Sequence, residues 1–252
     1  MRDKQLLLIA LIAIISASFV SATYYLDPRK VRLVDHTPIL SNGHSNYLFR
    51  GNEPKTLIDD KDVFAYDLLV EYMRNDSLSN HNVVLPESFY IIDIKLIYGL
   101  RDELPDIELE STFFANNSNF GEFNTNITLG DLTDPNLVPT EERIAWAKTL
   151  PTWQKDDLPS RMELYRDILY DTSRDESIVL YIHCECGCDR TGEVFASYVI
   201  KYLGFSFSDA MQWDYSVAGR RILPNHQWAT QWYCLYLQYV EGSSVDCTPP
   251  PW

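Results

Sequence analysis

The feature that most constrains this chain is the run Ser177-Ile178-Val179-Leu180-Tyr181-Ile182. Six residues without a charge, most of them β-branched or aromatic, make a strand of a length that suits burial on both faces. Immediately after it come His183-Cys184-Glu185-Cys186-Gly187-Cys188-Asp189-Arg190-Thr191-Gly192-Glu193. A strand that ends in a tight loop and turns into a helix near Thr191 places Cys184 at the carboxyl end of the strand, where α/β sheets carry their sites. Backbone N–H groups of such a loop converge at the helix N-terminus and form an anion nest, reinforced by the helix dipole. Arg190 adds a planar fork that matches two phosphate oxygens. The same positive field favours the thiolate of Cys184, and the Thr191 hydroxyl can hydrogen-bond it. Gly187 and Gly192 permit the tight loop and the close helix start. Glu185, Cys186, Gly187, Cys188, Asp189 and Arg190 are therefore the expected phosphate cradle, with Cys184 the nucleophile and His183 orienting the loop.

The rest of the chain supplies a frame for this site. Helical stripes are expected at Asp62 to Met73, at Thr140 to Leu150 and from the capping-box sequence Ser160-Arg161-Met162-Glu163 to about Tyr170. Ile91 to Tyr98 reads as a strand, Asn116 to Pro139 as a long surface loop or insertion, and Glu193 to Tyr239 as two or three further helices. Helices alternating with a buried strand predict an α/β fold, a single domain with a central, mostly parallel sheet flanked by helices. With 252 residues a second full domain would be cramped.

The pattern His-Cys-x5-Arg-Thr-Gly resembles the signature of the cysteine-based protein phosphatases, covering the tyrosine-specific, dual-specificity-like and phytase-like branches. Three further stretches are similar to segments of that superfamily: Tyr47-Leu48-Phe49-Arg50-Gly51-Asn52-Glu53-Pro54, Ile97-Tyr98-Gly99-Leu100-Arg101-Asp102-Glu103 and Gln227-Trp228-Ala229-Thr230-Gln231. The resemblance spans about residues 47–242 and implies a tyrosine-phosphatase-like fold and hydrolysis through a phosphocysteine. It also implies Gln227 as the residue that positions the hydrolytic water, and an Asp before a Pro as general acid. Trp153-Gln154-Lys155-Asp156-Asp157-Leu158-Pro159 stands in that place. Asp156 is the preferred acid, Asp157 the second choice and Asp134 the third. No cofactor or metal is implied; Cys-x-Cys-x-Cys lacks zinc spacing and a following His pair. The competing readings are a phosphate-binding pseudophosphatase, a phytase- or phosphoinositide-type phosphatase, and an interaction protein that merely inherited the fold.

Composition narrows the partners. A net charge of −15 repels polyanions, which argues against nucleic acid. The acidic loop residues Glu185 and Asp189 argue against heavily phosphorylated inositols. A phosphorylated protein or a small phosphate ester is the expected substrate.

The N-terminus reads as an address. Arg2 and Lys4 precede an apolar run from Leu6 to Val20, and Val20-Ser21-Ala22 resembles a signal-peptidase site. The expected organisation is a signal peptide at 1–22, a polar lead-in at 23–46, the catalytic domain at 47–242 and a Pro-rich tail at 243–252. The mature chain is expected to carry no membrane span and to be secreted or lumenal. The sequons at Asn75, Asn116 and Asn126 agree with glycosylation on that route. Five cysteines are odd in number, so one thiol is expected outside any intrachain pairing. Cys186 and Cys188 look too crowded for ordinary disulfide geometry. The extra thiols Cys186 and Cys188 have two readings, packing in a tight loop or a reversible redox switch in which Cys188 pairs with Cys184 across the loop, and Cys234 reads as a core residue.

Overall fold

The computed structural model describes residues 24–250; the signal peptide expected at 1–22 and its expected cleavage site lie outside the described residues, as do Pro251 and Trp252. The described residues form a mixed α/β domain with a five-stranded, mostly parallel sheet flanked by seven helices. The strands are β1 (Arg32–His36), β2 (Tyr47–Asn52), β3 (Lys55–Ile58), β4 (Lys61–Phe64), β5 (Tyr90–Ile97), β6 (Gly121–Ile127) and β7 (Ile178–Cys184). The helices are α1 (Tyr66–His81), α2 (Leu104–Asn116), α3 (Thr140–Lys148), α4 (Leu158–Leu169), α5 (Asp189–Tyr202), α6 (Phe207–Ala218) and α7 (Pro224–Tyr239).

Sheet order is β1-β2-β7-β5-β6, with β1 antiparallel to β2 and the other neighbours parallel. The apolar run of β7 takes the centre, and every residue of the strand is buried. Strand alternation then divides the side chains between two cores. Ile178, Leu180, Ile182 and Cys184 face the core built with α3 to α7, while Val179 and Tyr181 face the core built with α1 and α2. On β5 the same period sends Ile92, Ile94 and Leu96 to the first core and Ile91 to the second. The C-terminal ends of β2, β5 and β7 meet at one edge: Asn52 lies opposite Cys184, and Lys95 opposite His183.

Four segments differ from the sequence expectation, each for a local reason. The helix expected from Asp62 begins only at Tyr66, because residues 61–64 pair with 55–58 as a hairpin. Its two-residue turn, Asp59-Asp60, has φ of 49° and 58°, the left-handed pair that such hairpins require. The loop expected over Asn116 to Pro139 contains β6, a polar edge strand held by backbone pairing to β5. Gly121 starts it; a Cβ there would stand 2.2 Å from the Ile91 carbonyl oxygen. The helix expected from Ser160 begins two residues earlier, after Asp157, with Pro159 in its first turn and the Gln154 side chain accepting from the Leu158 amide. The polar lead-in supplies β1, so the sheet begins before Tyr47.

Cys234 is buried, as expected of a core residue, and is bonded to Cys247, which ties the C-terminal segment to α7. Gln231 Nε2 donates to the Cys247 carbonyl and Gln238 Nε2 to that of Val245. Among the described residues no helix is long and apolar enough to cross a membrane. Asn75 and Asn116 are exposed, whereas Asn126 is half-buried and its side-chain oxygen accepts from the Tyr165 hydroxyl at 2.9 Å.

Candidate active site

β7 ends at Cys184 and α5 begins at Asp189, so the intervening loop wraps one helix N-terminus. The Thr191 hydroxyl donates to Cys184 Sγ at 3.1 Å. Burial pushes the Cys184 thiol up; Arg190, the Thr191 hydroxyl and the backbone amides of Thr191 and Cys188 outweigh it and hold the thiol below its ordinary value. Cys184 is the free cysteine of the described chain.

Arg190 is fixed on three sides. One guanidinium nitrogen donates to the Leu96 carbonyl at 2.9 Å and to the Glu103 carboxylate, and the Tyr98 ring lies 4.1 Å from its carbon. Glu103 also accepts from the amides of Tyr98, Gly99 and Leu100. Burial opposes its ionisation, but these amides and Arg190 hold its carboxyl below the usual range. A rigid turn after β5 thus aims the arginine.

The loop itself rests on buried charge. Arg50 on β2 donates to the Gly187 carbonyl at 3.1 Å and pairs with Asp214 of α6. Its guanidinium lies against Phe195 and Trp213. Gly187 has φ of 66°, and a Cβ there would lie 2.5 Å from the Gly51 carbonyl oxygen, so this position needs glycine for both reasons. Its amide donates to the Cys184 carbonyl, and the Glu53 amide donates to the Glu185 carbonyl. Lys30 Nζ caps the Cys186 carbonyl at 2.6 Å. Asp189, expected in the cradle, is a brace: it accepts from Arg220 at 2.8 and 2.6 Å and from the Leu223 amide. Glu185 is half-buried; burial raises its carboxyl against the pull of Arg190.

His183 sits beneath the loop on the other face of the sheet. Its Nε2 lies 3.1 Å from Asp93 and 3.0 Å from Glu110, and these carboxylates overcome burial to push it up to about 10. Glu53, Glu110 and His183 lie close enough together to share a metal ion, but Lys95 Nζ already bonds both carboxylates and is the cation of this cluster.

The expected redox pair is not formed. Cys188 is bonded to Cys186, with Cα atoms 5.1 Å apart, inside the ordinary range for a disulfide. The curl at Gly187 brings the two together, which overturns both the crowding argument and the pairing of Cys188 with Cys184.

The expected acids differ in their surroundings. Asp156 is 1% exposed, and its oxygens accept from the Leu129 amide at 2.8 and 2.9 Å and the Gly130 amide at 2.6 Å. That carboxylate staples the segment after β6 to the start of α4 and is closed to an incoming ester. Asp157 is the residue before α4, in left-handed conformation, with one oxygen buried. Asp134 accepts from the Asn136 amide and lines a cavity of about 280 Å³ with Gln227, Gln231 and Pro249. Gln227 Nε2 donates to the Ile222 carbonyl at 2.6 Å, so Gln227 shares that cavity with Asp134 and its amide is committed to the chain. Sequence reasoning missed the roles of Arg50, Glu103, Tyr98, Asp214 and Lys30. Arg50, Tyr98 and Glu103 fall inside two of the three stretches similar to phosphatase segments; Asp214 and Lys30 carry no sequence signal of their own.

No protein-family model matches the chain, and no curated protein matches it. Among solved structures, it is similar to a leucine-rich repeat and phosphatase domain containing protein from Entamoeba histolytica, at 11% identity and a TM-score of 0.33. The likeness covers 81% of this chain and 94% of that one.

Proposed function

We propose that this protein is a cysteine-dependent phosphatase of the secretory route, secreted or lumenal, that hydrolyses phosphate monoesters, phosphotyrosine-type phosphoproteins first among them. The observation that carries the reading is the convergence of Cys184, the Thr191 hydroxyl and the braced Arg190 at the N-terminus of α5. In the first step Cys184 Sγ attacks phosphorus; the P–S bond forms, the bond to the leaving oxygen breaks, and that oxygen takes a proton. In the second step water attacks, the P–S bond breaks, and the thiolate and inorganic phosphate separate. The Arg190 fork holds two equatorial oxygens, and the loop amides and helix dipole meet the remaining charge. Thr191 stabilises the thiolate as it arrives and leaves.

A substrate of modest charge fits the site, because Glu185 stands at the loop and the chain carries −15 overall. The burial of Asp156 favours one alternative, a pseudophosphatase that binds phosphate without turnover. Turnover of p-nitrophenyl phosphate separates the two. The wild type is expected to turn it over, and Cys184→Ser to abolish turnover while vanadate binding persists. Vanadate binding without wild-type turnover would support the binder, and wild-type turnover in the Ser variant would refute the phosphocysteine.

A further inference from the structure

We propose that Tyr98 is the general acid of this site and that His226 and Glu193 are the relay that supplies its proton. The proposal rests on the phosphatase reading above and names the group that reading leaves open. An acid for ester cleavage has to stand at the wall of the phosphate cradle, be partly open, and be re-protonated each cycle. The sealed Asp156 fails the second condition. Tyr98 is half-buried, and its ring lies against the Arg190 guanidinium that holds the phosphoryl group. Its hydroxyl is 2.9 Å from His226 Nε2, and His226 Nδ1 is 2.6 Å from Glu193 Oε2. Three elements build this line: the turn after β5, the first turn of α7, and α5. Arg190 and Glu193 lie three residues apart on α5 and so share a face. His226 and Glu193 are fully buried.

The proton positions are set by the surroundings. Burial, then the charge of the neighbouring Asp156 and a hydrogen bond to it, push Glu193 well above the ordinary carboxylate range, with Arg161 opposing and Asp131 assisting. Burial pushes His226 down to about 4 despite Asp189 and Asp156. In the proposed relay, Glu193 carries the proton and donates to Nδ1, and the ring proton on Nε2 donates to the Tyr98 oxygen. The phenolic hydrogen is then free to point at the ester. When the leaving oxygen departs it takes the Tyr98 proton; Tyr98 takes one from Nε2, and Nδ1 takes one from Glu193, which becomes a carboxylate. In the second step the attacking water returns its proton along the same line, and each group recovers its starting state. Tyr98 is the catalytic residue, while His226 and Glu193 act through it.

The test compares phenyl phosphate, whose leaving group needs protonation, with p-nitrophenyl phosphate, whose leaving group needs it far less. Tyr98→Phe keeps the ring over Arg190, and Glu193→Gln keeps the shape of the carboxyl. Both are expected to lose about 10²-fold or more in kcat/KM on phenyl phosphate, within the usual contribution of an acid, and much less on the nitrophenyl ester. Vanadate affinity, which reports an intact cradle, stays at the wild-type value. The solvent deuterium isotope effect on kcat for phenyl phosphate falls toward unity in both variants. Equal losses on the two esters, or no loss, in a variant that still binds vanadate would overturn the relay while leaving the phosphatase reading standing. A wild type that cleaves neither ester would overturn both.

Discussion

Replacing Gly192 by Ala is the sharpest stability test of how the loop between β7 and α5 is supported. Gly192 is in the first turn of α5, where helix propensity alone favours Ala over Gly by about 0.5–1 kcal/mol. The packing says the reverse. A Cβ at this position would lie 2.4 Å from one Asp214 carboxylate oxygen and 2.8 Å from its carbon. Asp214 has to retreat by about 1 Å to restore van der Waals contact. It pairs with Arg50 at 2.5 Å, and both side chains are fully buried. At an effective dielectric of about 20, lengthening that pair by about 1 Å forfeits roughly 2 kcal/mol. Overpacking of the helix against α6 adds about 1–3 kcal/mol. After the helix-propensity gain the net loss is about 2–4 kcal/mol, which for a domain of this size is a fall in Tm of roughly 4–16 °C. Thermal and urea unfolding followed by circular dichroism measure it. Gly204→Ala is the control: φ there is 75° and nothing lies within 4 Å of an added Cβ, so only backbone strain of about 1–2 kcal/mol is expected. Gly192→Ala at or above wild-type stability would refute the account of Arg50 and Asp214 as the buried floor of the loop.

Other consequences are open to direct measurement. Non-reducing peptide mapping is expected to find Cys186 joined to Cys188, Cys234 joined to Cys247, and Cys184 as the alkylatable thiol; a Cys184–Cys188 peptide would contradict the loop described here. Asp131→Asn is expected to stabilise the protein at pH 7 and to do little at pH 4. Burial raises Asp131 to about 6, against the hydrogen bond from Gln154, so the folded state binds its proton more tightly than the unfolded one. That contribution is present below the unfolded value, declines as pH rises toward 6, and is gone above it. A urea midpoint for Asp131→Asn that shifts equally at both pH values would show that the carboxyl is not neutral in the fold.

The parts of this molecule that sequence exposes are those whose chemistry is local. β7 is legible because a strand buried on both faces must be apolar throughout, and the loop after it because an anion nest needs Gly, Arg and a hydroxyl at fixed offsets. β6 is hidden because an edge strand draws its order from backbone pairing to β5, so Asn124, Thr125 and Asn126 look like loop residues. The proposed acid is illegible for a different reason. A carboxylate before a proline signals its chemistry only if its neighbours leave it open, and Asp156 is consumed by two amides from residues 129 and 130, distant in sequence. Tyr98, His226 and Glu193 come from three separate elements, and no spacing in the chain announces a contact that only the packing of α5 against α7 creates.

The cysteines tie the local chemistry to the proposed compartment. An oxidising environment threatens a nucleophilic thiolate chiefly through thiols that can reach it, and the sequence puts two within four residues of Cys184. The fold removes both by joining Cys186 to Cys188, and removes the other pair by joining Cys234 to Cys247. Cys184 is left as the odd thiol, 2% exposed at the floor of the cradle, with the Thr191 hydroxyl on its sulfur. The Cys186–Cys188 bridge also stiffens the curl through Gly187, where the carbonyl faces Arg50 and the neighbouring Cys186 carbonyl faces Lys30. The Gly187 amide closes the curl on the Cys184 carbonyl, while the Cys188 amide, whose peptide carbonyl faces Arg50, is directed at the Cys184 sulfur, the orientation a nest requires. The extra thiols of the loop are thus unavailable to Cys184, the proposed nucleophile, and the same bond that spares it helps hold the backbone of the curl.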